Sequence, residues 1–168
     1  GGRAVANGDD ISSWAGAERL IQTAVDTFGD LHAVINNAGI LRDRMMANMS
    51  EEEWDAVIKV HLKGTFAPSR FAAAYWRDQS KAGKPVDGRI INTSSVSGIY
   101  GNVGQTNYGA AKAGIAAFTT IASLELARYG VTVNAVAPVA LTRMTEGLGP
   151  APETEEEREQ RSPKWIAP

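Results

Sequence analysis

A serine, a tyrosine and a lysine stand in this sequence at spacings that suit proton transfer to a carbonyl or alcohol oxygen. Tyr108 and Lys112 are four positions apart and share one face if the segment is helical. A tyrosine hydroxyl titrates near ~10 and is a poor base at neutral pH, but an ammonium beside it stabilises the phenolate and lowers that value. Ser95, thirteen positions before Tyr108, supplies a hydroxyl able to bond the same oxygen. The expected division of labour is that Ser95 orients, Lys112 tunes and Tyr108 exchanges the proton while hydride moves to or from carbon. Asn36-Asn37-Ala38-Gly39 adds small residues on which a flat ligand could lie, with asparagines able to pin neighbouring loops.

These residues need elements to position them. Residues 11–28 place Trp14, Ala17, Leu20, Ile21, Ala24, Val25 and Phe28 on one apolar helix face, stopped at Gly29. Residues 31–35 form an apolar, β-branched run expected of a parallel strand covered on both faces, and His32 within it reads as a packing residue. Ser50 and Glu53 make a capping box for a helix over residues 51–79 that Gly64 and Pro68 should weaken or kink. A second strand over residues 89–93 runs into Ser94 and Ser95, followed by Gly98, Gly101 and Gly104, read as turn-formers. An alanine-rich helix over residues 108–129 and a strand over residues 131–137, stopped by Pro138, complete the alternation. Strand and helix alternating in this way predict an α/β domain with an open parallel sheet and helices on both faces. Ligands in such sheets collect at the carboxyl ends of the strands, where the Asn-Asn-Ala-Gly run and Ser95 fall.

The chain has 168 residues, 43% of them hydrophobic, which fits one domain. Seventeen basic and nineteen acidic residues leave a net charge of -2, so no basic field favours nucleic acid or an anionic membrane surface. A small-molecule substrate is expected instead. No cysteine is present, which excludes a disulfide framework and a zinc-thiolate site; no metal is expected, and a cytoplasmic setting fits. No apolar stretch approaches the ~20 residues of a membrane helix. The acidic run over residues 153–161 reads as a solvated helix face, and residues 145–168 as a mobile substrate flap. A serine hydrolase is the competing enzyme class, but the G-x-S-x-G elbow is missing around Ser95.

Taken together, NNAG, the serine thirteen residues before Y-x-x-x-K and a strand ending in NAVAP resemble the signature of the short-chain dehydrogenase/reductase family over roughly residues 10–144. The resemblance implies a Rossmann-like doubly wound sheet and an oxidoreductase using NAD or NADP. It implies that Ser95, Tyr108 and Lys112 are catalytic, with Lys112 also holding the nicotinamide ribose. Asp10, Asn37, Ala38 and Gly39 would lie along the adenosine side, and Leu141 and Thr142 at the nicotinamide. His61 matches the family's fourth catalytic position, often asparagine, which holds a water in the proton relay; a histidine there could also simply bond a backbone carbonyl. His61 within VHLKGTF and Val139 after the proline are similar to the (3R)-hydroxyacyl-CoA dehydrogenase branch, which includes a unit of peroxisomal multifunctional enzyme type 2 and bacterial single-domain relatives. That likeness implies a 3-hydroxyacyl or 3-oxoacyl thioester substrate. A hydroxysteroid or other alcohol, and a non-catalytic fragment, are the alternatives. The two long helices would pair with their copies in a homodimer or homotetramer. The family's glycine-rich phosphate loop should precede Asp10 and its fold should continue past Pro168, so the sequence is expected to be a fragment that binds no dinucleotide by itself.

Overall fold

The structure, a computed structural model, describes residues 2–142 and 151–166 in two compact units, Gly1–Val136 and Ala137–Pro168. In the first, helix α1 spans Trp14–Phe28, three residues later than the apolar pattern suggested, because Ser13 caps it by accepting from the Gly16 amide. Gly29, at φ +83°, ends it. Strand β1 is Ala33–Asn36. Helix α2, Glu51–Ile58, opens on the expected capping box, with Ser50 and Glu53 exchanging side-chain and backbone hydrogen bonds. It continues through a π-helical turn, Lys59–Lys63, into helix α3, Gly64–Lys81. The expected weakening near Gly64 and Pro68 is therefore met by one wide turn within an unbroken rod. Strand β2 is Gly88–Thr93, helix α4 Val96–Tyr100, helix α5 Thr106–Leu126 with a 3-10 turn Ala127–Tyr129, and strand β3 Val131–Val136.

The three strands lie in the order β1-β2-β3, all parallel, with Ala33 opposite Arg89 and Gly88 opposite Val131. Right-handed crossovers between strands that step in one direction put their connecting helices on the same face. The burial agrees. Val34, Ile90, Val131 and Val133 are buried with Ile21, Ala72 and Trp76 in one core. The indole of Trp76, 2% exposed, donates to the Leu31 carbonyl at 2.6 Å. A Cβ on Gly88 would stand 2.9 Å from that indole, so α3 can sit this low over β2 only because residue 88 has no side chain.

Three expectations are corrected here. β1 is not covered on both faces: among the described residues it pairs only with β2, and Ile35 is 67% exposed. His32 packs against nothing central; it lies before β1, exposed, with its ring 3.7 Å from Asp30. Thr106–Tyr129, whose most apolar 18-residue window has a mean hydropathy of 1.2, is long and apolar enough to cross a membrane by length and composition. Its many alanines, with Ile115, Phe118, Ile121 and Leu124, raise the hydropathy, while Ala111, Ile115 and Ala122 are buried in the fold.

In the second unit, α6 spans Glu155–Gln160 and is fully exposed, as the acidic run predicted; Thr154 caps it by accepting from the Glu157 amide at 3.1 Å. A 3-10 turn follows at Pro163–Trp165, and the Trp165 indole donates to Glu159 O at 2.9 Å. Met144, where the family resemblance ends, and residues 145–150 of the expected flap lie outside the described residues.

Candidate active site

Tyr108 and Lys112 lie in the first turns of α5 and share the expected face: the ammonium is 5.5 Å from the centroid of the tyrosine ring. Lys112 is only 4% exposed. Burial pushes its pKa down from the ordinary 10.5 to about 8. One of its three N–H donors goes to the Thr93 carbonyl at the end of β2, which leaves donors able to meet the hydroxyls of a ribose.

His61, in the π turn, is brought to the same place. Its ring meets Tyr108 edge to face, 5.1 Å between centroids and 90° between planes. It is 2% exposed, and burial holds its pKa below the ordinary 6.5 against the opposing contact with Ile40, with the Lys112 charge acting in the same direction as burial. The imidazole is therefore neutral at pH 7. Nε2 lies 2.7 Å from the Ile40 carbonyl and 3.0 Å from the Ile40 amide. The ring bonds a backbone carbonyl, as one of the two readings of this histidine expected, and its Nδ1 is buried with no protein partner. Gly39 makes room for the ring, because a Cβ there would be 2.4 Å from Cε1.

Ser95 is the N-cap of α4, and its hydroxyl accepts from the Ser97 amide at 3.2 Å. Its neighbour Ser94 is structural: the buried hydroxyl donates to the Lys112 carbonyl at 2.9 Å. Ser97 donates to Gln105 at 2.9 Å. Gly98 is not the turn-former expected. It lies within α4, where a Cβ would meet the Ala113 nitrogen at 2.6 Å, so its missing side chain lets the helix that begins at Ser95 press against the turn of α5 bearing Lys112. Gly101 and Gly104 do adopt positive φ, +78° and +82°.

Of the residues expected along the adenosine, Asn37, Ala38 and Gly39 follow β1 and are exposed; the Asn37 side chain accepts from Thr93 Oγ1 at 3.1 Å. The exposed Asp10 accepts from the amide and hydroxyl of Ser12, which, with Lys59 at 3.5 Å, hold its carboxyl below the ordinary range. A groove of about 250 Å³ along β1 includes Asn37 and Ala38 but none of Ser95, Tyr108 or Lys112. Leu141 and Thr142 belong to the second unit, where the Leu141 amide donates to Arg161 O at 2.7 Å.

One network escaped the sequence reading. Asn36 Nδ2 donates to Ser69 Oγ and to its register partner Asn92, each at 2.9 Å. Asn92 donates to Thr119 Oγ1 at 2.9 Å. Ser69 and Thr119 then donate to the carbonyls of Thr65 and Ile115 in their own helices. This chain of side chains ties α3 through β1 and β2 to α5, under the site. The available signal was an asparagine in the last two positions of each of two apolar strands.

Residues 1–153 match the family model described as short chain dehydrogenase. The hydroxyacyl-CoA dehydrogenase ChsB1 of Mycobacterium tuberculosis is 55% identical over 92% of this chain and 50% of its own length. Peroxisomal multifunctional enzyme type 2 of Mus musculus is 44% identical over the whole chain and 21% of its own length. A crystal structure of a short chain dehydrogenase from Mycobacterium avium superposes with a TM-score of 0.83 at 64% identity, over 89% of this chain and 52% of that one. The chain thus spans about half the length of the first and third of these. A parallel sheet with Rossmann-like connections, a Tyr-Lys pair in the first turns of the long helix before its third strand, and a family match over nearly all of the sequence lead to one assignment: this chain belongs to the short-chain dehydrogenase family.

Proposed function

We propose that the protein carrying this chain is an NAD- or NADP-dependent oxidoreductase that interconverts a 3-hydroxyacyl thioester and its 3-oxo counterpart. The observation that carries this reading is the convergence of Lys112 and neutral His61 on the ring of Tyr108, at 5.5 Å and 5.1 Å from its centroid. The hydroxyacyl substrate follows from the names of the similar proteins. A bound nicotinamide cofactor supplies the hydride chemistry. In the oxidising direction the Tyr108 oxygen takes the proton of the substrate hydroxyl, and in the reducing direction it returns one to the carbonyl oxygen. Ser95 donates a hydrogen bond to that oxygen and fixes its position. Lys112 bonds the ribose with the donors that Thr93 leaves over, and its charge stabilises negative charge developing on the tyrosine. His61 Nδ1, buried without a protein partner, holds a water that passes protons between Lys112 and solvent. Asp10, Asn37, Ala38 and Gly39 would hold the adenosine half of the cofactor.

The assembly is a homodimer or homotetramer built on α3 and α5. Between these helices lies a groove of about 560 Å³ bordered by Phe66 and Phe118, and Leu124 on α5 is 76% exposed. The testing experiment uses the protein as its gene encodes it, with (3R)- and (3S)-hydroxyacyl thioesters and either nucleotide. The (3R) isomer is expected to be oxidised preferentially, and Tyr108→Phe to remove nearly all turnover while cofactor still binds. Equal rates on both isomers reject the substrate, and an active Tyr108→Phe rejects the mechanism.

A further inference from the structure

Tyr108, His61 and the segment after Gly39 hang from separate elements, and one buried side chain joins all three. Asn107 is completely buried, and both ends of its amide are engaged. Nδ2 donates to the Arg42 carbonyl at 3.0 Å and to the Glu53 carbonyl at 3.1 Å, while Oδ1 accepts from the Tyr108 amide at 2.7 Å. Arg42 stands two residues beyond Ile40, whose backbone contacts the His61 ring. Glu53 lies on α2, the rod that runs on into the π turn bearing His61. The third bond goes to the backbone of the tyrosine itself.

The first turn of α5 depends on such an outside hold. Its N-cap, Gln105, makes no capping hydrogen bond. The Gln105 side chain instead donates to Asp43 at 2.8 Å and accepts from Ser97 at 2.9 Å, and the Arg44 amide donates to the Gly104 carbonyl at 2.8 Å. Asn107 is the member of this set that reaches Tyr108.

We propose that Asn107 is the positioning residue for Tyr108: its three hydrogen bonds set the start of α5 against residues 40–44 and α2, and so hold the phenol in register with His61 and Lys112. This rests on the reading of Tyr108 as proton exchanger. A reacting oxygen displaced by about 1 Å loses on the order of 100-fold in rate, so a residue that touches neither substrate nor cofactor can still govern kcat.

Two substitutions in the protein as its gene encodes it test this. Asn107→Ala removes all three bonds while putting the best helix former in their place; kcat per bound cofactor is expected to fall roughly 10- to 100-fold, with cofactor Kd within about twofold of the parent. Asn107→Asp keeps the shape and the acceptor towards the Tyr108 amide but turns a carboxylate on two carbonyls. Protonation restores a donor to one of them, so the ratio of this variant's kcat to the parent's should rise as pH falls from about 8 to about 6. A residue that merely stabilised the fold would lower the folded fraction and leave both kcat per bound cofactor and that ratio unmoved. Parent-like kcat in Asn107→Ala, or a flat ratio in Asn107→Asp, overturns the proposal, and if Asn107→Ala does not fold the ratio decides alone. Tyr108→Phe assayed alongside separates the two failures. If it stays active, the reading of the site is wrong; if it is inactive while the Asn107 variants are unimpaired, only the positioning role is lost.

Discussion

Replacing Lys112 with Met removes a charge that the fold holds against its own stability. Lys112 is nearly fully buried and burial lowers its pKa from 10.5 to about 8. A depression of that size corresponds to about 3 kcal/mol of folding free energy. Below pH 8 the folded and unfolded chains both carry the proton, and the folded one bears the whole cost. Between about 8 and 10.5 the unfolded chain binds more protons, so the parent gains stability with rising pH; above 10.5 neither is charged and the cost has vanished. Lys112→Met keeps the unbranched apolar stem of the side chain, one atom shorter, but loses the bond to the Thr93 carbonyl, worth about 1 kcal/mol. The variant should therefore be about 2 kcal/mol more stable than the parent at pH 7 and slightly less stable near pH 10.5, and it should be inactive. Urea unfolding of both proteins without cofactor, followed by tryptophan fluorescence across this range, is the assay. A stability difference that stays constant with pH would refute the reasoning, because only the lysine titrates in one protein and not in the other.

Three further outcomes are expected. Gly39→Ala drives a methyl into the His61 ring and should cost about 1–3 kcal/mol in chemical denaturation together with a loss of turnover; parent-like kinetics would show that the ring need not stay where it lies. Ser95→Ala should lose turnover together with about 1 kcal/mol of stability from the lost cap of α4, whereas Ser94→Ala should lose about 1 kcal/mol of stability through its broken bond to Lys112 and keep most of its turnover; the reverse turnover pattern would exchange their roles. Light scattering at micromolar concentration should find an oligomer, and Leu124→Glu on the exposed face of α5 should dissociate it; a parent protein that is monomeric there rejects the proposed assembly.

The parts of the fold legible in the sequence were those written in local chemistry. Ser50 and Glu53 form the capping box their spacing announced, Gly29 ends α1, and Tyr108 and Lys112 share a face because α-helical geometry leaves them no alternative. Features that depend on partners distant in sequence were not legible. Asn92 is an ordinary strand residue until register sets it beside Asn36 and helix packing sets it beneath Thr119. Gly98 looks like a turn glycine until α5 is seen pressing on it. The exposure of Ile35 and His32 depends on what lies next to β1, which no periodicity within the run itself could report.

The wide turn at Lys59–Lys63 also changes how one rod is aimed. An α-helix advances about 100° per residue, so an inserted residue turns everything before it by about that angle relative to everything after. The apolar stripe of α2 and that of α3 are thereby decoupled in phase: α2 meets α5, while α3 meets α1 and β1. A straight helix of the same length would have had to choose one bearing and leave the other half of its stripe in water. Residue 61 sits at the pivot between the two bearings, so its direction is set by both halves of the rod at once, and shortening the turn by one residue would swing α2 away from α5 even with every side chain of the site unchanged.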